Sequence, residues 1–333
     1  MRAVQFHPEH GIRVVDTERR DPAAGEVEVR ISYTGLCGTD LHIVDGHLNQ
    51  RIPHPLVFGH ETSGVVSRLG VGVEGWAEGE LVSVVPLVWD GTCPDCLAGN
   101  QHICPNMRSL GIDVDGSLRE YWSVPASKLV RIPAGTPGPR AALLEPLAVA
   151  LHDLRRSELR DGELAVVIGG GPIGALIATL AARRGNTVIV SEPSAWRRTR
   201  LEQDGLTTVS PDAIEDAVTA ASAGRGADVV FEVSGSAAGA VVTTRLVGVR
   251  GRIVIVGVHS EPRLFDLHRV FWREVSVIGA RVYEAADVEA AAGMIGDADY
   301  LDGFVSEIHP LEGIADAIVA TRAGTALKVL VAS

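Results

Sequence analysis

The sequence predicts an α/β protein in which a β-rich first domain precedes a domain built on a doubly wound parallel sheet. Residues 1 to about 140 form short alternating apolar and polar runs separated by Gly, Pro and Asp, which is typical of antiparallel, barrel-like strands. From about residue 160, fully apolar runs alternate with helical stretches, and this order indicates parallel strands covered on both faces. At 333 residues the chain also exceeds one ordinary hydrophobic core.

The elements of the second domain follow from its apolar runs and the helical patterns between them. The predicted strands cover residues 164–168, 187–191, 228–233, 252–256 and 275–278. The predicted helices cover residues 172–184, 194–203, 211–223 and 236–247. Two helices and two strands fill the last fifty residues, at 286–295, 304–308, 314–321 and 328–331. We therefore predict a first domain over 1–150, a second over 151–284, and a segment 285–333 that returns to the first.

The composition excludes several classes of partner. A net charge of −12 argues against nucleic acid or an anionic membrane surface as a general partner. No apolar run is long enough to cross a membrane, and the first residues lack a signal-peptide layout, so a cytoplasmic protein is expected. Thiols stay reduced there, so the four cysteines are expected to be ligands, nucleophiles or core residues rather than disulfides.

A glycine-rich turn follows the first strand of the second domain. Gly169, Gly171 and Gly174 fit the pattern G-x-G-x-x-G, with Pro172 and Ile173 opening the helix behind it. In a strand–turn–helix setting these glycines permit a tight turn, a close approach of backbone to a pyrophosphate, and close packing of helix on strand. The pattern alone also fits an ordinary glycine-rich turn, but its setting favours a dinucleotide site.

An acidic residue supports this interpretation. Glu192 ends the next strand, eighteen residues beyond Gly174, where a carboxylate can accept hydrogen bonds from ribose hydroxyls. That carboxylate would repel the additional phosphate of NADP, whereas Arg197 and Arg198, one helical turn later, could pair with it. The sequence therefore favours NAD and leaves NADP as the alternative.

Two separated segments carry residue types that bind metals. Cys37 lies in GLCGTD and His60 in GHE; alone, each is more often a core residue. Together with a carboxylate they would form the mixed S, N and O set that suits zinc with one position open. Glu145 is a candidate for that carboxylate, because it lies between apolar neighbours and a buried carboxylate is costly unless paired or metal-bound.

A second candidate metal site lies in a Gly- and Pro-rich stretch. Cys93, Cys96 and Cys104 fall within twelve residues, and closely spaced thiolates suit a closed structural zinc site. Asp90 stands at the position that the spacing assigns to a fourth ligand, and a carboxylate is an acceptable though harder ligand than a thiolate. The alternative is a metal-free loop with inert thiols.

Seven segments of the chain follow one another in a characteristic order: GLCGTDLH (35–42), GHETSGVV (59–66), the cysteine segment (90–104), DGSLREY (115–121), LLEPLAVALH (143–152), VVIGGGPIG (166–174) and FEVSG (231–235). In their order and separation they resemble the zinc-dependent medium-chain dehydrogenase/reductase family over essentially the whole chain. LLEPLAVALH and FEVSG resemble the branch of sorbitol, butanediol and threonine dehydrogenases. The resemblance implies a GroES-like catalytic domain, a Rossmann cofactor domain and a dimer or tetramer that pairs the edge of the parallel sheet.

The resemblance also implies roles for individual residues. Cys37, His60 and Glu61 would hold a catalytic zinc, with Glu145 either a direct ligand or acting through a metal-bound water. The family's structural zinc lobe has four cysteines, and Asp90 replaces the first of them here, which puts that zinc in doubt.

The resemblance further implies a proton relay after Cys37. The family keeps a hydroxyl and a histidine at the positions of Thr39 and His42. Thr39 would pass a proton through the cofactor ribose to His42, and histidine is the side chain that ordinarily exchanges protons near neutral pH. The alternatives are a turn hydroxyl and an ordinary surface histidine.

The expected reaction is hydride transfer between an alcohol and NAD. Several carboxylates near the metal would make a polar site, which fits a secondary alcohol, polyol or vicinal diol better than an apolar primary alcohol. A zinc-free quinone or enone reductase of the same superfamily, and a non-catalytic cofactor-binding protein, are the alternatives. A zinc-free reductase would lack the ligand set formed by Cys37, His60, Glu61 and Glu145, and the presence of all four here argues against it.

Overall fold

The computed structural model describes all residues, Met1–Ser333, and divides them into two compact units. The first unit consists of Met1–Glu145 together with Glu284–Ser333, and the second of Pro146–Tyr283. The chain therefore leaves the first unit once and returns to it for its last fifty residues. No helix combines the length and apolar character that a membrane crossing requires.

The first unit is β-rich. A long helix, α4 (Leu144–Ser157), begins at its boundary with the second unit. Its strands are β1 (Arg2–His7), β2 (Gly11–Asp16), β3 (Glu26–Gly35), β4 (Glu61–Leu69), β5 (Leu81–Val84), β6 (Leu87–Val88), β7 (Arg108–Ser109), β8 (Tyr121–Pro125), β9 (Leu129–Arg131), β16 (Val305–Pro310) and β17 (Lys328–Ala332). Its helices are α1 (Gly38–Val44), α2 (Pro94–Leu97), α3 (Gly138–Ala141), α10 (Ala285–Ile295) and α11 (Ile314–Ala323).

Seven strands of this unit form one sheet, in the order β16-β17-β3-β4-β5-β9 with β8 also paired to β3. The central strand β3 buries alternate residues, Val27, Val29 and Ile31, against apolar residues of β4, β5 and β8. Its far end pairs with the last strand of the chain, since Leu330 of β17 lies opposite Gly35. The C-terminal segment is therefore part of the same sheet that leads into Cys37.

A separate core surrounds the start of α1. It joins residues of the first and last parts of the chain, among them Leu36, Ile43, Phe58, Val329 and Val331. A polar contact ties the same parts together, because Arg140 of α3 donates to both carboxylate oxygens of Asp302 at 2.7 Å and to the carbonyl of Gly296 at 2.8 Å.

The second unit is a parallel sheet with helices. Its strands are β10 (Leu164–Ile168), β11 (Thr187–Ser191), β12 (Thr207–Val209), β13 (Ala227–Glu232), β14 (Val247–Ile255) and β15 (Ser276–Gly279). Its helices are α5 (Pro172–Arg183), α6 (Ala195–Gln203), α7 (Ile214–Ala221), α8 (Ala237–Leu246) and α9 (Leu267–Trp272). The order β12-β11-β10-β13-β14-β15, with every pair parallel, places a topological switch point between β10 and β13.

The α/β class predicted from the sequence is confirmed, but two elements of the second unit were missed. Strand β12 has three residues that are only partly buried or exposed, so it lacks the apolar run by which the other strands were found. Helix α9 has no buried residue, and its Leu267, Phe271 and Trp272 are all at least 70% exposed. Helix α9 has apolar residues at helical spacing, Leu267, Val270 and Phe271, but over six residues this pattern is too short to predict a helix.

Close packing at the glycine-rich turn gives a stability prediction. A Cβ on Gly174 of α5 would lie 1.9 Å from the carbonyl oxygen of Gly169, whereas a Cβ on Gly293 of α10 would meet no atom within 4 Å. We expect Gly174→Ala to destabilise the protein by about 1–3 kcal/mol or more, because backbone must move. The matched change Gly293→Ala should stabilise it by about 0.5–1 kcal/mol through helix propensity. Thermal unfolding measures both, and equal shifts would contradict the packing argument.

Candidate catalytic metal centre and dinucleotide site

Cys37 lies between β3 and α1, where it caps the helix. Its sulfur accepts the backbone N–H of Thr39 at 3.2 Å, and its own N–H donates to Oδ2 of Asp40 at 2.8 Å. This reciprocal capping box satisfies N–H groups at the start of the helix. The sulfur is therefore held in one place by the backbone.

His60 lies against that sulfur. Its Nε2 is 3.1 Å from Sγ of Cys37, and its Nδ1 is 3.6 Å from Oδ1 of Asp40. Both Nδ1 and Oδ1 are buried and have no hydrogen-bond partner, so the carboxylate and the ring are left facing each other. Carboxylates in this position orient metal-binding histidines. Burial lowers the pKa of His60, but the Cys37 sulfur and the Asp40 carboxylate outweigh it and hold that pKa well above its ordinary value.

Glu61 is buried beside His60 and pairs with Lys328. Nζ of Lys328 donates to the two carboxylate oxygens at 2.7 and 2.5 Å and to the carbonyl of Leu36 at 3.1 Å. Both side chains are about 2–3% exposed. Burial lowers the pKa of Lys328, but the charges of Glu61 and Cys37 outweigh it and the pKa lies above its ordinary value. Gly35 leaves room for this pair, since a Cβ there would lie 2.2 Å from Oε2 of Glu61.

These side chains form a set that fits zinc. One ligand atom each from Cys37, His60 and Glu61 lie within 4.8 Å of one another. Sulfur, imidazole nitrogen and carboxylate oxygen are the donors that zinc prefers. Each Glu61 oxygen keeps a second lone pair beyond its bond to Lys328, so the ion pair leaves the carboxylate able to bind a metal.

Other residues of the predicted set take different places. Glu145 lies in the first turn of α4 and is not part of the three-residue group, although its charge is one of those that raise the pKa of Lys328. Thr39 is half-buried at the start of α1, and His42 is exposed at its last turn. Asp40 and Lys328 received no role from the sequence. A lone lysine opening the apolar strand KVLVA was the available sign of a buried charge partner.

The second candidate metal group lies in the loop around α2. Ligand atoms of Asp90, Cys93, Cys96 and Cys104 lie within 4.8 Å of one another, and all four cysteines of the chain are free thiols. Oδ1 of Asp90 accepts the N–H groups of Thr92 and Cys93, and Oδ2 accepts Nδ2 of Asn106 at 2.5 Å. Oδ2 therefore retains a lone pair for a metal.

The protonation of this group follows its hydrogen bonds. The bond from Asn106 and the two backbone N–H groups hold the pKa of Asp90 well below its usual range. Burial, together with contact to Cys93, raises the pKa of Cys96 to about 12. For Cys104, burial is outweighed by backbone N–H groups of Asp90 and Asn106, which lower its pKa.

The glycine-rich turn lies at the switch point of the parallel sheet. Gly169 has φ of +105°, in the left-handed region, and Gly171 is the N-cap of α5. Pro172 and Ile173 are the first two helical residues, and no side chain caps this helix. The N–H groups at its start are therefore available to an anion such as a pyrophosphate.

Glu192 lies beside this turn and is 3% exposed. Its carboxylate accepts the N–H of Gly170 and the N–H of Ser194, both at 2.8 Å. The Arg197 guanidinium flanks the turn, 3.8 Å from where a Cβ of Gly171 would be. Arg198 instead donates to the carbonyls of Glu192 and Pro193 at 2.7 and 2.8 Å.

Two family models match this chain. Residues 23–134 match the alcohol dehydrogenase GroES-like domain, and residues 172–296 match the zinc-binding dehydrogenase family. A 2-dehydro-3-deoxy-L-galactonate 5-dehydrogenase of Pseudoalteromonas atlantica is 45% identical over 320 residues, covering 95% of this chain and 94% of that protein. A sorbitol dehydrogenase of Halalkalibacterium halodurans is 32% identical, covering 94% of each.

Solved structures are similar to this chain over its whole length. A zinc-binding dehydrogenase structure from Sinorhizobium meliloti 1021, bound to NADP, has a TM-score of 0.93 and 32% identity, covering 100% of this chain and 99% of that one. The predicted fold class, a GroES-like domain with a Rossmann parallel sheet, is confirmed by these matches. The chain therefore belongs to the zinc-dependent alcohol dehydrogenases of the medium-chain dehydrogenase/reductase family.

Proposed function

We propose that this protein moves a hydride between NAD and a secondary alcohol of a polyhydroxylated substrate, such as a polyol, a vicinal diol or a sugar acid. The buried group of Cys37, His60 and Glu61 carries this proposal, because its charged surroundings suit a substrate rich in hydroxyls. The names of the 45% and 32% identical relatives, which denote a sugar-acid and a sorbitol dehydrogenase, support the same substrate class.

Cys37, His60 and Glu61 would hold the catalytic zinc. A zinc ion there supplies a Lewis acid that lowers the pKa of a substrate hydroxyl. The Asp40 carboxylate, 3.6 Å from Nδ1 of His60, would orient that ring, and Lys328 fixes the carboxylate of Glu61 through its two hydrogen bonds. Glu145 would be either a direct ligand of that zinc or act through a metal-bound water. Asp90, Cys93, Cys96 and Cys104 would hold a separate structural zinc.

The residues of α1 would remove the proton that leaves the alcohol. Thr39 and His42 are three residues apart and so lie on the same side of the helix. The Thr39 hydroxyl can accept and donate at one oxygen, and the exposed His42 ring can release a proton to water. The two residues would therefore connect the metal group with solvent.

The cofactor would be NAD, held by the glycine-rich turn at Gly169, Gly171, Pro172, Ile173 and Gly174. When bound there, the cofactor would supply a nicotinamide ring as the hydride acceptor. The Glu192 carboxylate, fixed by two backbone N–H groups, places negative charge beside the turn and disfavours a further phosphate. Arg197 would pair with a phosphate of the bound cofactor.

An exposed apolar surface on the second unit would pair two copies of the chain. Strand β15 is at the edge of the sheet, and its Val277 is 47% exposed. The helix that precedes this strand in the chain, α9, exposes Leu267, Phe271 and Trp272. Apolar residues in this number are unusual on a monomer and indicate an interface. A dimer or tetramer built on this edge is therefore proposed.

Metal analysis with an activity assay tests the central proposal. We expect two zinc ions per chain and NAD reduction with polyols or sugar acids, with NADP a poorer substrate. Cys37→Ser should lose one zinc and the activity, because sulfur is a main ligand. Asp90→Ala should lose the other zinc, Asp90→Cys should keep it, and the exposed Asp95→Ala serves as the control. Absence of zinc from active wild-type protein would contradict the proposal in favour of a zinc-free reductase, and absence of both would favour a non-catalytic protein.

Replacing His42 tests the proton path. His42→Ala should slow alcohol oxidation by roughly ten- to a hundredfold at low pH, where hydroxide and buffer base are scarce. The loss should shrink as pH rises, and added imidazole should restore part of the rate. His10→Ala, at another exposed histidine, is the control. A pH profile of kcat like that of the wild type would remove His42 from the path.

Light scattering after size exclusion tests the interface. Val277→Lys should weaken self-association by about tenfold or more, since two charges would meet across a two-fold axis. Val319→Lys places the same charge on α11, at a side chain 65% exposed, and should leave the mass unchanged. An unchanged mass in Val277→Lys would argue against this edge as the interface.

A further inference from the structure

Two exposed histidines meet at the C-terminal end of α1. Nδ1 of His42 and Nδ1 of His47 are 3.2 Å apart, and the ring centroids are 5.4 Å apart with an interplanar angle of 44°. A contact between two ring nitrogens at this distance is a hydrogen bond only if one of them carries the proton and the other accepts it. The geometry therefore suits one proton held between the two Nδ1 atoms.

The backbone holds the two rings together. The N–H of Gly46 donates to the carbonyl of Ile43, and the N–H of His47 donates to the carbonyl of His42, both at 3.0 Å. These bonds, with Gly46 at φ of +78°, form the Schellman motif that ends many helices. His47 is thus fixed over the last turn of α1 by the helix end itself.

The neighbouring charged and titratable groups are occupied elsewhere. Asp45 pairs with Arg322 of α11, which packs against this helix. His54 contacts the carbonyl of Asn49 through Nε2 at 3.1 Å, and Asp40 faces the N–H of Cys37 on the buried side. The bond between the two rings is the contact that the structure gives each of them.

We propose that His47 accepts the proton that reaches His42 and releases it to water, so that the pair forms the outer end of the proton path. The inference rests on the proposed function of Thr39 and His42. A proton enters at Nε2 of His42, the proton on its Nδ1 crosses to Nδ1 of His47, and the proton on Nε2 of His47 leaves to solvent. One proton enters and one leaves, so the charge of the pair is unchanged.

The arrangement has two chemical advantages over a single histidine. Two charged rings 3.2 Å apart repel, so a proton taken up by one ring favours release from the other. After one passage both rings hold the tautomers needed to carry a proton inward, so the same pair also serves the reverse reaction.

Two variants of His47 separate proton transfer from positioning. His47→Gln keeps an oxygen that can accept from His42 but cannot pass a proton, and His47→Leu removes both capacities. We expect both to lower kcat for alcohol oxidation by about three- to tenfold at low pH and low buffer concentration, with recovery on adding imidazole. His10→Gln is the control. Wild-type rates in His47→Gln, or losses in both variants without a pH dependence or rescue, would overturn the proposal.

A second measurement does not depend on turnover. NMR titration of the histidine rings in the zinc-loaded protein without cofactor should show His42 and His47 taking up protons in two linked steps. In His47→Gln, the His42 ring should take up its proton in a single step. If the two rings titrate independently in the wild type, the proposal fails. If no alcohol is oxidised but the linked steps are seen, the pair stands and only the proposed function fails.

Discussion

The ion pair between Glu61 and Lys328 is the constraint on which the metal group depends. It joins the first residue of β4 to the first residue of β17, which are 267 positions apart in the chain. Removing one partner of such a buried pair typically costs about 3–5 kcal/mol, because the other charge stays buried alone. Lys328 also donates to the carbonyl of Leu36, next to Cys37. One ammonium group thus fixes both the carboxylate and the chain that carries the sulfur.

The two candidate metal groups are built on different principles. Asp90, Cys93, Cys96 and Cys104 come from one loop of fifteen residues, and their positions follow from turns and caps within that loop. The group of Cys37, His60 and Glu61 needs β3, β4 and β17 to pair first. The first arrangement suits a closed site that stabilises a loop, and the second suits a site whose shape the whole unit controls.

The sequence allowed prediction of those features that local pattern determines. Strand β10 is apolar at all five positions and was predicted residue for residue, and the glycine-rich turn behind it follows from its spacing. Cys37 and His60 were combined as metal ligands from their residue types, and Glu61 was added to them only by resemblance to a family. The contacts of Asp40, His47 and Lys328 were not predicted, since they arise from a helix cap, a helix end and a long-range strand pairing. No periodicity records such contacts.

The discontinuity of the first unit has a consequence for synthesis on the ribosome. The unit Pro146–Tyr283 is one continuous stretch and can fold as soon as it has emerged, because domains generally fold as units in the order of synthesis. The sheet that holds Cys37 and Glu61 cannot close until β17, which follows the second unit in the chain, is available. Until then the end of β3 that pairs with β17, and the Glu61 carboxylate without its lysine, stay open to solvent and to other chains. A nascent chain therefore passes through a stage in which the second unit is folded and the first unit is not.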